Sequence, residues 1–583
     1  KKKFLSIFVA IGVIGTGLLF LIDTGDWLLA SVFFVIGRIG FGAANVFYDS
    51  LLPHIAKEED QDRISTYGYA LGYLGGGILL AINIVMIFQF PDNNAGIRWS
   101  FLTVAVWWIL FSIPIFRQVP EPQGSGKKLK PGENIVRVSF SRIAKTLREI
   151  SQFRELFKYL ISFLIYNDGI GIIISVAVIY GTELGFGTTE LVLAILLVQF
   201  VGIPYSLVFG NLPAKSNKRQ TFYVAFVIFN ILALPLVGIG SRAFLPQELT
   251  GTPSADFVAS ATAVGQGRHV VDDTTFSLSG DWSATTVSGT ERGETCAWYA
   301  SWCDEAALAA TYAMTSDADG RLDLAFNGQA IKITHSMGPD HGSWAVEIDG
   351  QPVLDEDGNS IIIDANQPTI RYDVTQEFQA GEEGEHVLSL INTADSDNTL
   401  ISIAQVEVSP PLRASSLPSI IGILLVVQAV GAIFAFLFGP RFFRGIANWL
   451  DTKRSIMLAL SAYAIIAIWG FFLNSVVEFW FLAWLVAVVQ GGSQALSRSL
   501  YATMTPKSMS GEFFGFFSIM SKFASFLSPL VFVLSVALFD SSRPGIASLF
   551  FFFAIGIYLL SRVDVEAGKA TADKKDAELL GSQ

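Results

Sequence analysis

Twelve apolar runs, each long enough to cross a lipid bilayer as a helix, constrain this 583-residue chain more than any other feature. A helix needs about 20 consecutive apolar residues to span the hydrocarbon core. Charged residues make up 15% of the chain, against about 25% in soluble domains. The sequence therefore predicts an all-α polytopic membrane protein, with spans near 4–22, 27–48, 65–89, 99–117, 157–180, 188–209, 220–240, 416–439, 455–474, 477–499, 512–539 and 543–561.

Lysine and arginine residues collect in alternate loops between these runs. Cytoplasmic loops of membrane proteins carry the excess of Lys and Arg. If the N-terminal lysines lie in the cytoplasm, the basic loop 118–156 and the tail 562–583 lie there too. Loop 118–156 contains "IVRVSFSRIAKTLREISQFREL", whose apolar residues recur at helical spacing among basic ones. This pattern is typical of an amphipathic helix on the membrane surface, and an ordinary linker is the alternative.

An acidic segment interrupts the membrane part. Residues 241–413 hold 27 acidic and 7 basic residues, whereas the whole chain carries a net charge of −12, so the remainder is basic. Within this segment "GRLDLAFNG", "AIKITHS", "SWAVEIDGQPVL" and "EHVLSLIN" alternate between apolar and polar residues, as strands do. We therefore predict an inserted, extracytoplasmic all-β sandwich over 250–412.

The inserted segment resembles the galactose-binding-like jelly-roll domains, with "GPDHGSWAVEIDG" and "GEHVLSL" as the most specific parts. Such domains bind glycans or make protein contacts, so the resemblance implies one of these partners. Candidate glycan-stacking residues are Trp282, Trp298 and Trp302, although buried aromatic side chains are a common alternative. Cys296 and Cys303 are candidates for a disulfide outside the cytoplasm. A metal site is not predicted, because two cysteines need further ligands and no histidine lies beside them.

The predicted organisation has six segments and a short internal repeat. The segments are a membrane half over 1–117, a cytoplasmic linker over 118–156, the start of a second half with one extra span over 157–240, the β insert over 250–412, the remainder of the second half over 416–561, and a tail over 562–583. "LLVQFVGIPYSLVFG" and "LLVVQAVGAIFAFLFG" keep Gln199 and Gln428 at the same position. A partial duplication and a chance match of apolar sequences both explain this similarity.

Polar side chains lie inside several of the apolar runs. Ionisable and amide groups are costly in a bilayer, so they tend to face a cavity or each other. Gln490, Gln494 and Arg498 are four residues apart and share one helix face, and Gly491 and Gly492 would let a neighbouring helix approach closely. Packing glycines and charged groups at the membrane rim are the alternative explanation. The candidates for lining a cavity are Asn45, Tyr48, Asp49, Tyr73, Tyr166, Asn167, Asp168, Gln199, Gln490, Gln494 and Arg498.

These motifs carry a resemblance to a known family. "GFGAANVFYDSLLPHIA", "GYALGYLGGGILL", "LIYNDGIG" and "VVQGGSQALSRSLYATMTP" resemble the vacuole-effluxer-like branch of the major facilitator superfamily. The resemblance implies a major-facilitator-like helical bundle, two further spans before Lys1 and so fourteen in the intact protein, and amino-acid export. It also implies a gating loop, for which Asp451 and Arg454 in "RFFRGIANWLDTKR" are the candidates.

Two functional hypotheses follow from the sequence. The first is a secondary-active or facilitative transporter of small solutes in a prokaryotic plasma membrane, working by alternating access, with Asp168 as a candidate for proton exchange. The second is a membrane scaffold that displays the β domain to a glycan or a protein. The sequence contains no nucleotide-binding loop, catalytic triad or metal-ligand spacing. We therefore predict neither an enzyme nor a cofactor, metal or nucleic-acid partner, and expect only the bilayer, a solute and a β-domain ligand.

Overall fold

The computed structural model describes residues 1–22, 26–90, 93–121, 153–214, 219–250, 257–271, 276–292, 308–355, 358–393, 398–411, 416–539 and 541–581. The chain divides into two compact units. The first unit comprises Lys1–Gly251 and Ser415–Gln583, and the second comprises Thr252–Ala414.

The first unit is helical. Its long helices are α1 (Lys2–Leu18), α2 (Trp27–Asp49), α3 (Gln61–Gln89), α4 (Asn93–Gln118), α5 (Arg154–Glu183), α6 (Thr188–Gly210), α7 (Gln220–Phe244), α8 (Leu417–Phe442), α9 (Thr452–Phe471), α10 (Val476–Thr503), α11 (Ser510–Phe539), α12 (Arg543–Ser561) and the tail helix α13 (Val565–Gly581). Short helical turns lie at Leu19–Leu21, Leu52–Ile55, Glu58–Asp60, Gln247–Thr250, Arg444–Trp449 and Lys507–Met509.

Helices α1–α12 stand at the positions of the twelve apolar runs. Over the residues that the structure describes, eleven of them are long and apolar enough to cross a membrane. Helix α11 is continuous over Ser510–Phe539, but its described apolar part, Pro529–Phe539, is shorter. The prediction of a polytopic all-α membrane unit is confirmed, and the chain is an integral membrane protein.

Helix α10 is the central helix of this unit and is buried along nearly its whole length. It packs against α3, α6, α7 and α9. A methyl group added at Gly491 would lie 1.9 Å from Ser206 Oγ on α6, and one at Gly492 would lie 2.2 Å from Phe209 Cβ. These two glycines therefore set the close approach of α6, as the sequence predicted.

Helices α7 and α8, which flank the inserted unit in sequence, pack mainly on each other, and α7 also packs on α10. Tyr205 on α6 donates a hydrogen bond to Gln428 Oε1 on α8. The two Gln residues of the sequence repeat thus stand on different helices, Gln199 on α6 and Gln428 on α8.

The second unit is built from antiparallel strand pairs. Its strands are β1 (Gly267–Val270), β2 (Ser277–Ser279), β3 (Ser283–Val287), β4 (Ala310–Thr315), β5 (Arg321–Met337), β6 (Ser343–Ile348), β7 (Gln351–Pro352), β8 (Ile362–Asp364), β9 (Arg371–Asn392) and β10 (Ile401–Val408). In the described part of the chain they form one ten-stranded sheet with the order β3-β4-β10-β5-β9-β6-β7, and β1, β2 and β8 pair with β10, β5 and β6.

The long strands β5 and β9 organise this sheet. They pair over most of their length, with register shifts between Gly328 and Ala330 and between His335 and Met337. Alternate residues of β5 point into a core that contains Leu322, Phe326 and Trp344. The prediction of a separate antiparallel β region is confirmed, whereas its assignment as a jelly roll stays a prediction.

Several sequence predictions concern residues outside the described ranges. They are the amphipathic helix of loop 118–156, most of which lies there, the disulfide between Cys296 and Cys303, and the glycan-stacking residues Trp298 and Trp302. Trp282 is described: it is partly buried against the core of the second unit, and its Nε1 donates to Ser279 O at 2.9 Å.

Candidate functional site

A polar cavity of about 710 Å³ lies inside the membrane unit. Helices α2, α3, α5, α6, α10 and α11 each contribute residues to its lining. Nine of the eleven side chains that the sequence proposed for a cavity line this one: Asn45, Tyr48, Asp49, Tyr73, Asn167, Gln199, Gln490, Gln494 and Arg498. The structure thus brings together residues that are up to 453 positions apart, from Asn45 to Arg498.

Tyr166 and Asp168 are the two proposed residues that do not line this cavity. Both are buried, with exposed fractions of 0% and 2%. Successive residues of a helix point about 100° apart, so Tyr166, Asn167 and Asp168 cannot all face one cavity, and Asn167 is the one that does. The Tyr166 hydroxyl lies 2.8 Å from Ser497 Oγ, which joins α5 to α10.

Arg498 connects three helices at one end of the cavity. Its Nη1 donates to Asp49 Oδ1 on α2 at 2.9 Å. Its Nε donates to Ser65 Oγ at 3.0 Å, and its Nη2 donates to Ser65 O at 3.1 Å, both on α3. The guanidinium carbon also lies 5.0 Å from the centre of the Tyr69 ring. The side chains of Arg498 and Asp49 are 9% and 24% exposed, so the pair is largely removed from water.

Sequence reasoning missed Ser65 as a residue of this site. Ser65 is fully buried, and its hydroxyl also donates to Ala495 O on α10 at 2.7 Å. The available signal was the spacing of Ser65, Tyr69 and Tyr73, which are four residues apart and therefore share one face of α3. Tyr69 and Tyr73 both line the cavity.

Further polar contacts join helices α1–α4 and their loops to the later helices. They lie at the end of the unit that contains the C-terminal ends of α2 and α10. Thr452 Oγ1 at the start of α9 donates to Asp62 Oδ2 on α3 at 2.6 Å. Lys569 Nζ on the tail helix α13 lies 2.6 Å from Glu58 Oε1. Together with the Arg498 contacts, they link the first four helices to the later ones at this end by hydrogen bonds and ion pairs.

The gating-loop candidates lie at the same end but act locally. Asp451 accepts a hydrogen bond from Arg454 N at 2.8 Å and so caps the N-terminus of α9. The Arg454 guanidinium carbon lies 4.7 Å from the centre of the Trp449 ring. These contacts define a helix start, and a gating role for Asp451 and Arg454 remains a prediction.

The amide side chains of the cavity come from four helices: Asn45 on α2, Asn167 on α5, Gln199 on α6, and Gln490 and Gln494 on α10. Gln490 is 7% exposed. Among the residues that the structure describes, no donor reaches its Oε1. Such buried acceptors without a partner are rare in proteins.

A second, apolar pocket of about 120 Å³ adjoins the polar cavity. It is lined mainly by aliphatic and aromatic side chains of α5, α6, α9 and α10, and Gln199 and Gln490 line both spaces. The two glutamines therefore stand at the boundary between a polar chamber and an apolar one.

Comparison with known proteins adds a family match to this geometry. The family model described as "Vacuole effluxer Atg22 like" matches residues 1–241 and 388–573, well over half of the chain. The protein YxiO of Bacillus subtilis, described as an uncharacterized MFS-type transporter, is 35% identical over 240 residues, which cover 40% of this chain and 55% of YxiO.

Fungal proteins are similar at lower identity. Autophagy-related protein 22-1 of Penicillium rubens is 22% identical over 318 residues, covering 42% of this chain and 53% of its own length. Autophagy-related protein 22 of Kluyveromyces lactis is 22% identical over 265 residues with the same two shares. The chain thus spans about half the length of the curated relatives it matches.

Proposed function

We propose, from the premise that this chain belongs to the Atg22-like vacuole effluxer family, that it is a transmembrane transporter of small solutes working by alternating access. The cavity is the observation that carries this proposal. It is polar, lies within a bundle of membrane-crossing helices and receives side chains from both the first four helices and the later ones. Transporters of this architecture bind solute near the bilayer midplane between two helical bundles that rock against each other.

The Arg498 contacts supply a mechanism for the rocking movement. Arg498 stays charged at any physiological pH, so separating α10 from α2 and α3 requires that water or solute replace Asp49 and Ser65. This exchange is costly while the pair is shielded from water, which keeps one end closed until the cavity opens there. The cycle then consists of breaking these contacts at one end and re-forming them after solute release.

The orientation of the transporter follows from the basic loops. Because Lys and Arg concentrate in cytoplasmic loops, the end closed by Arg498 would face the cytoplasm and the β unit would lie outside it. We propose a prokaryotic plasma membrane as its location, on its similarity to the Bacillus subtilis protein.

Amino-acid efflux is the solute class that the family resemblance implies, and it is the first class to test. A proton-coupled version of the cycle would use Asp168, which is buried on α5 beside the cavity residue Asn167. Uptake driven by a pH gradient that is lost in Asp168→Asn would support this version. Uptake that does not depend on the pH gradient would indicate a facilitator that is not coupled to protons.

Reconstitution of the full chain in liposomes tests the proposal. The wild type should take up at least one solute from a panel of amino acids, sugars and nucleosides in a saturable manner, and Arg498→Met should reduce that rate at least 100-fold. Arg562→Met is the matched control, because Arg562 also stacks on a tyrosine, at 5.1 Å from the Tyr558 ring centre, but is exposed and outside the cavity. Its rate should stay within twofold of wild type.

A second comparison separates transport from display of the β unit. Deleting residues 250–412 should leave transport in place if the helical unit is the transporter. If the wild type moves no solute, and the deletion abolishes only the capture of a partner, the scaffold hypothesis replaces this proposal.

A further inference from the structure

We infer that the tail helix α13 is a strap across the Arg498 end of the membrane unit, the end that contains the C-terminal ends of α2 and α10, and that its attachment opposes opening of that end. The inference rests on the proposed transport cycle and adds a regulatory element to it. Contacts at the start, the middle and the far end of α13 carry it.

The start of α13 is fixed to the later helices. Asp564 N donates to Glu155 Oε2 on α5 at 2.8 Å. The Asp564 carboxylate accepts from Ala567 N at 3.0 Å and so caps the first turn of α13. Just before it, Val563 O accepts from Lys453 Nζ on α9 at 2.9 Å. The helix therefore leaves α12 in a defined direction and is held against the bundle from its first turn.

The middle of α13 packs against the end of α10 through small residues. Gly568 and Ala572 are buried and stand four residues apart, so they share one face of the helix. A methyl group added at Gly568 would lie 2.9 Å from Sδ of Met504, the residue that follows α10. A larger side chain at Gly568 would therefore displace α13 from the bundle without shortening the chain.

The far end of α13 holds the turn that precedes α11. The Asp576 carboxylate accepts hydrogen bonds from Lys507 N at 2.8 Å, Ser508 N at 3.0 Å and Ser508 Oγ at 2.5 Å. Backbone N–H groups at the start of a helical turn attract an anion, and such charge-assisted bonds are stronger than neutral ones. Asp576 thus ties the tail to the connection between α10 and α11.

Helix α13 also reaches the part of the unit formed by the first four helices. Lys569 Nζ lies 2.6 Å from Glu58 Oε1 in the connection between α2 and α3. The start of α11, beside the turn that Asp576 holds, makes a second link, because Ser510 Oγ lies 3.0 Å from His54 Nε2 in the same connection. The tail therefore bridges the two parts of the unit that alternating access would separate.

The strength of this bridge suits a strap that can release. The side chains of Lys569 and Glu58 are 33% and 48% exposed, and an exposed ion pair changes an equilibrium constant by at most about fivefold. The bonds of Asp564 and Asp576 lie within the later part of the unit, so they position Lys569 and stay intact when the two parts separate. Loss of the Lys569 contact should therefore favour opening of the Arg498 end a few-fold.

Thiol labelling of the full chain in oriented liposomes tests the inference. Gln494→Cys, in a chain with Cys296 and Cys303 replaced by Ser, places a thiol in the cavity lining. A membrane-impermeant maleimide, applied from the Arg498 end, then labels this thiol at a rate that follows the population open at that end. Uptake of the amino-acid panel by the same liposomes is measured in parallel.

A charge exchange isolates the ion pair. Lys569→Glu places two carboxylates together and should raise the labelling rate at least threefold. The double variant Lys569→Glu, Glu58→Lys restores an ion pair of opposite polarity and should return the rate close to that of the parent. Lys574→Glu, at an exposed lysine of the same helix, is the matched control and should leave the rate unchanged.

Two further variants detach the helix without touching the ion pair. Gly568→Leu displaces α13 from Met504, and Asp576→Asn removes the charge that holds the turn before α11. Both should raise the labelling rate at least twofold. Asp573→Asn, at an exposed aspartate one turn earlier on the same helix, is the control for Asp576→Asn and should have no effect.

The outcomes separate this inference from the proposed function. Saturable uptake by the wild type, with a labelling rate that does not respond to Lys569→Glu or Asp576→Asn, overturns the strap and leaves the transporter intact. A rise in labelling that Glu58→Lys reverses, without uptake of any solute, supports the strap and contradicts transport. A rise that Glu58→Lys does not reverse shows that Lys569→Glu loosens the fold in general, and it also overturns the strap.

Discussion

Arg498 shows how one side chain can hold three helices of a membrane protein together. Its nitrogens are divided between Asp49 on α2 and Ser65 on α3, and the backbone that carries it belongs to α10. The planar guanidinium makes this division possible, because its donors point in fixed, different directions. The ammonium group of a lysine, a compact charge at the end of a flexible side chain, could not bond to all of these acceptors at once.

The first prediction at this scale concerns the substitution Arg498→Lys. The charge is kept, but the contacts to Ser65 Oγ and Ser65 O cannot both be made, so we expect the transport rate to fall at least tenfold while the protein stays folded. Arg562→Lys, at the exposed arginine of the chain's C-terminal region, is the control. Equal rates for Arg498→Lys and wild type would show that only the charge of Arg498 matters.

The second residue-scale prediction concerns histidines in the β unit. His335 and His341 are buried, and burial lowers the pKa of both below the usual value of 6.5. As the pH falls below about 6.5, the unfolded state therefore binds protons that the folded state does not. The free energy of unfolding should decline, by up to about 1.4 kcal/mol per pH unit for each histidine.

Hydrogen exchange of β5 and β9 in the full chain, corrected for the intrinsic rate, measures this pH dependence. His341→Gln should flatten it, because glutamine can keep the contact with Ser336, which lies 2.7 Å from His341 Nε2, without titrating. His386 opposes the trend: burial lowers its pKa, but its hydrogen bonds to Asp349 and to Glu382 O, together with the negative charges of both residues, outweigh burial and raise the pKa overall. The prediction would be wrong if the protection of the β5 and β9 amides against exchange is the same at pH 7 and pH 5, both in the wild type and in His386→Gln.

At the scale of elements, an ion pair joins α7 to the central helix α10. Glu478 at the start of α10 is fully buried, and its Oε2 accepts from Arg242 Nε at 2.7 Å at the end of α7. Trp469 Nε1 on α9 lies 3.2 Å from the other oxygen. The helix that leads into the inserted unit is thus fixed to the most buried helix of the bundle.

We predict that Arg242→Met destabilises the full chain by about 3 kcal/mol, because it leaves the buried Glu478 carboxylate without its cation. The double variant Arg242→Met, Glu478→Gln should recover most of that loss, as a thermal-unfolding double-mutant cycle in detergent would show. The exposed pair of Arg268 and Glu407, 3.4 Å apart, is the control and should contribute less than about 1 kcal/mol. Purely additive effects at Arg242 and Glu478 would contradict the coupling.

Elements were more predictable than the contacts between them. The apolar run predicted over 543–561 is α12 (Arg543–Ser561), and the run over 188–209 is α6 (Thr188–Gly210), because bilayer thickness and local composition fix such segments. The partner of Arg498 on α3 could not be found in this way. Ser65 is 433 residues distant, and hydropathy does not record which helix faces which.

The candidate site was predictable to the extent that helical periodicity resolves faces. Gln490, Gln494 and Arg498 share a face by spacing alone, and all three line the cavity. The sequence prediction groups Tyr166, Asn167 and Asp168 because they are adjacent along the chain. On a helix adjacency separates side chains, so only Asn167 reached the cavity.

At the scale of the membrane unit, three polar contacts lie at the same end of the helical bundle. Thr452 with Asp62, Lys569 with Glu58, and Arg498 with Asp49 all join the first four helices to the later ones at that end. The alternating access that we propose requires that these contacts break together when the opposite end closes. Weakening one of them should therefore shift the population of conformations rather than remove the cavity.

Cysteine accessibility in liposomes of known orientation tests this shift. Gln494→Cys, in a chain with Cys296 and Cys303 replaced by Ser, places a thiol in the cavity lining. We expect a membrane-impermeant maleimide to label it faster from the side opposite the closed end. Adding Asp49→Asn should raise the labelling rate from the closed side several-fold, because Arg498 then loses its anionic partner. Gln428→Cys, outside the cavity, should keep its rate in both backgrounds. If Asp49→Asn leaves the labelling rate of Gln494→Cys unchanged from both sides, Arg498 does not govern access to the cavity. The rocking mechanism would then need another closing contact.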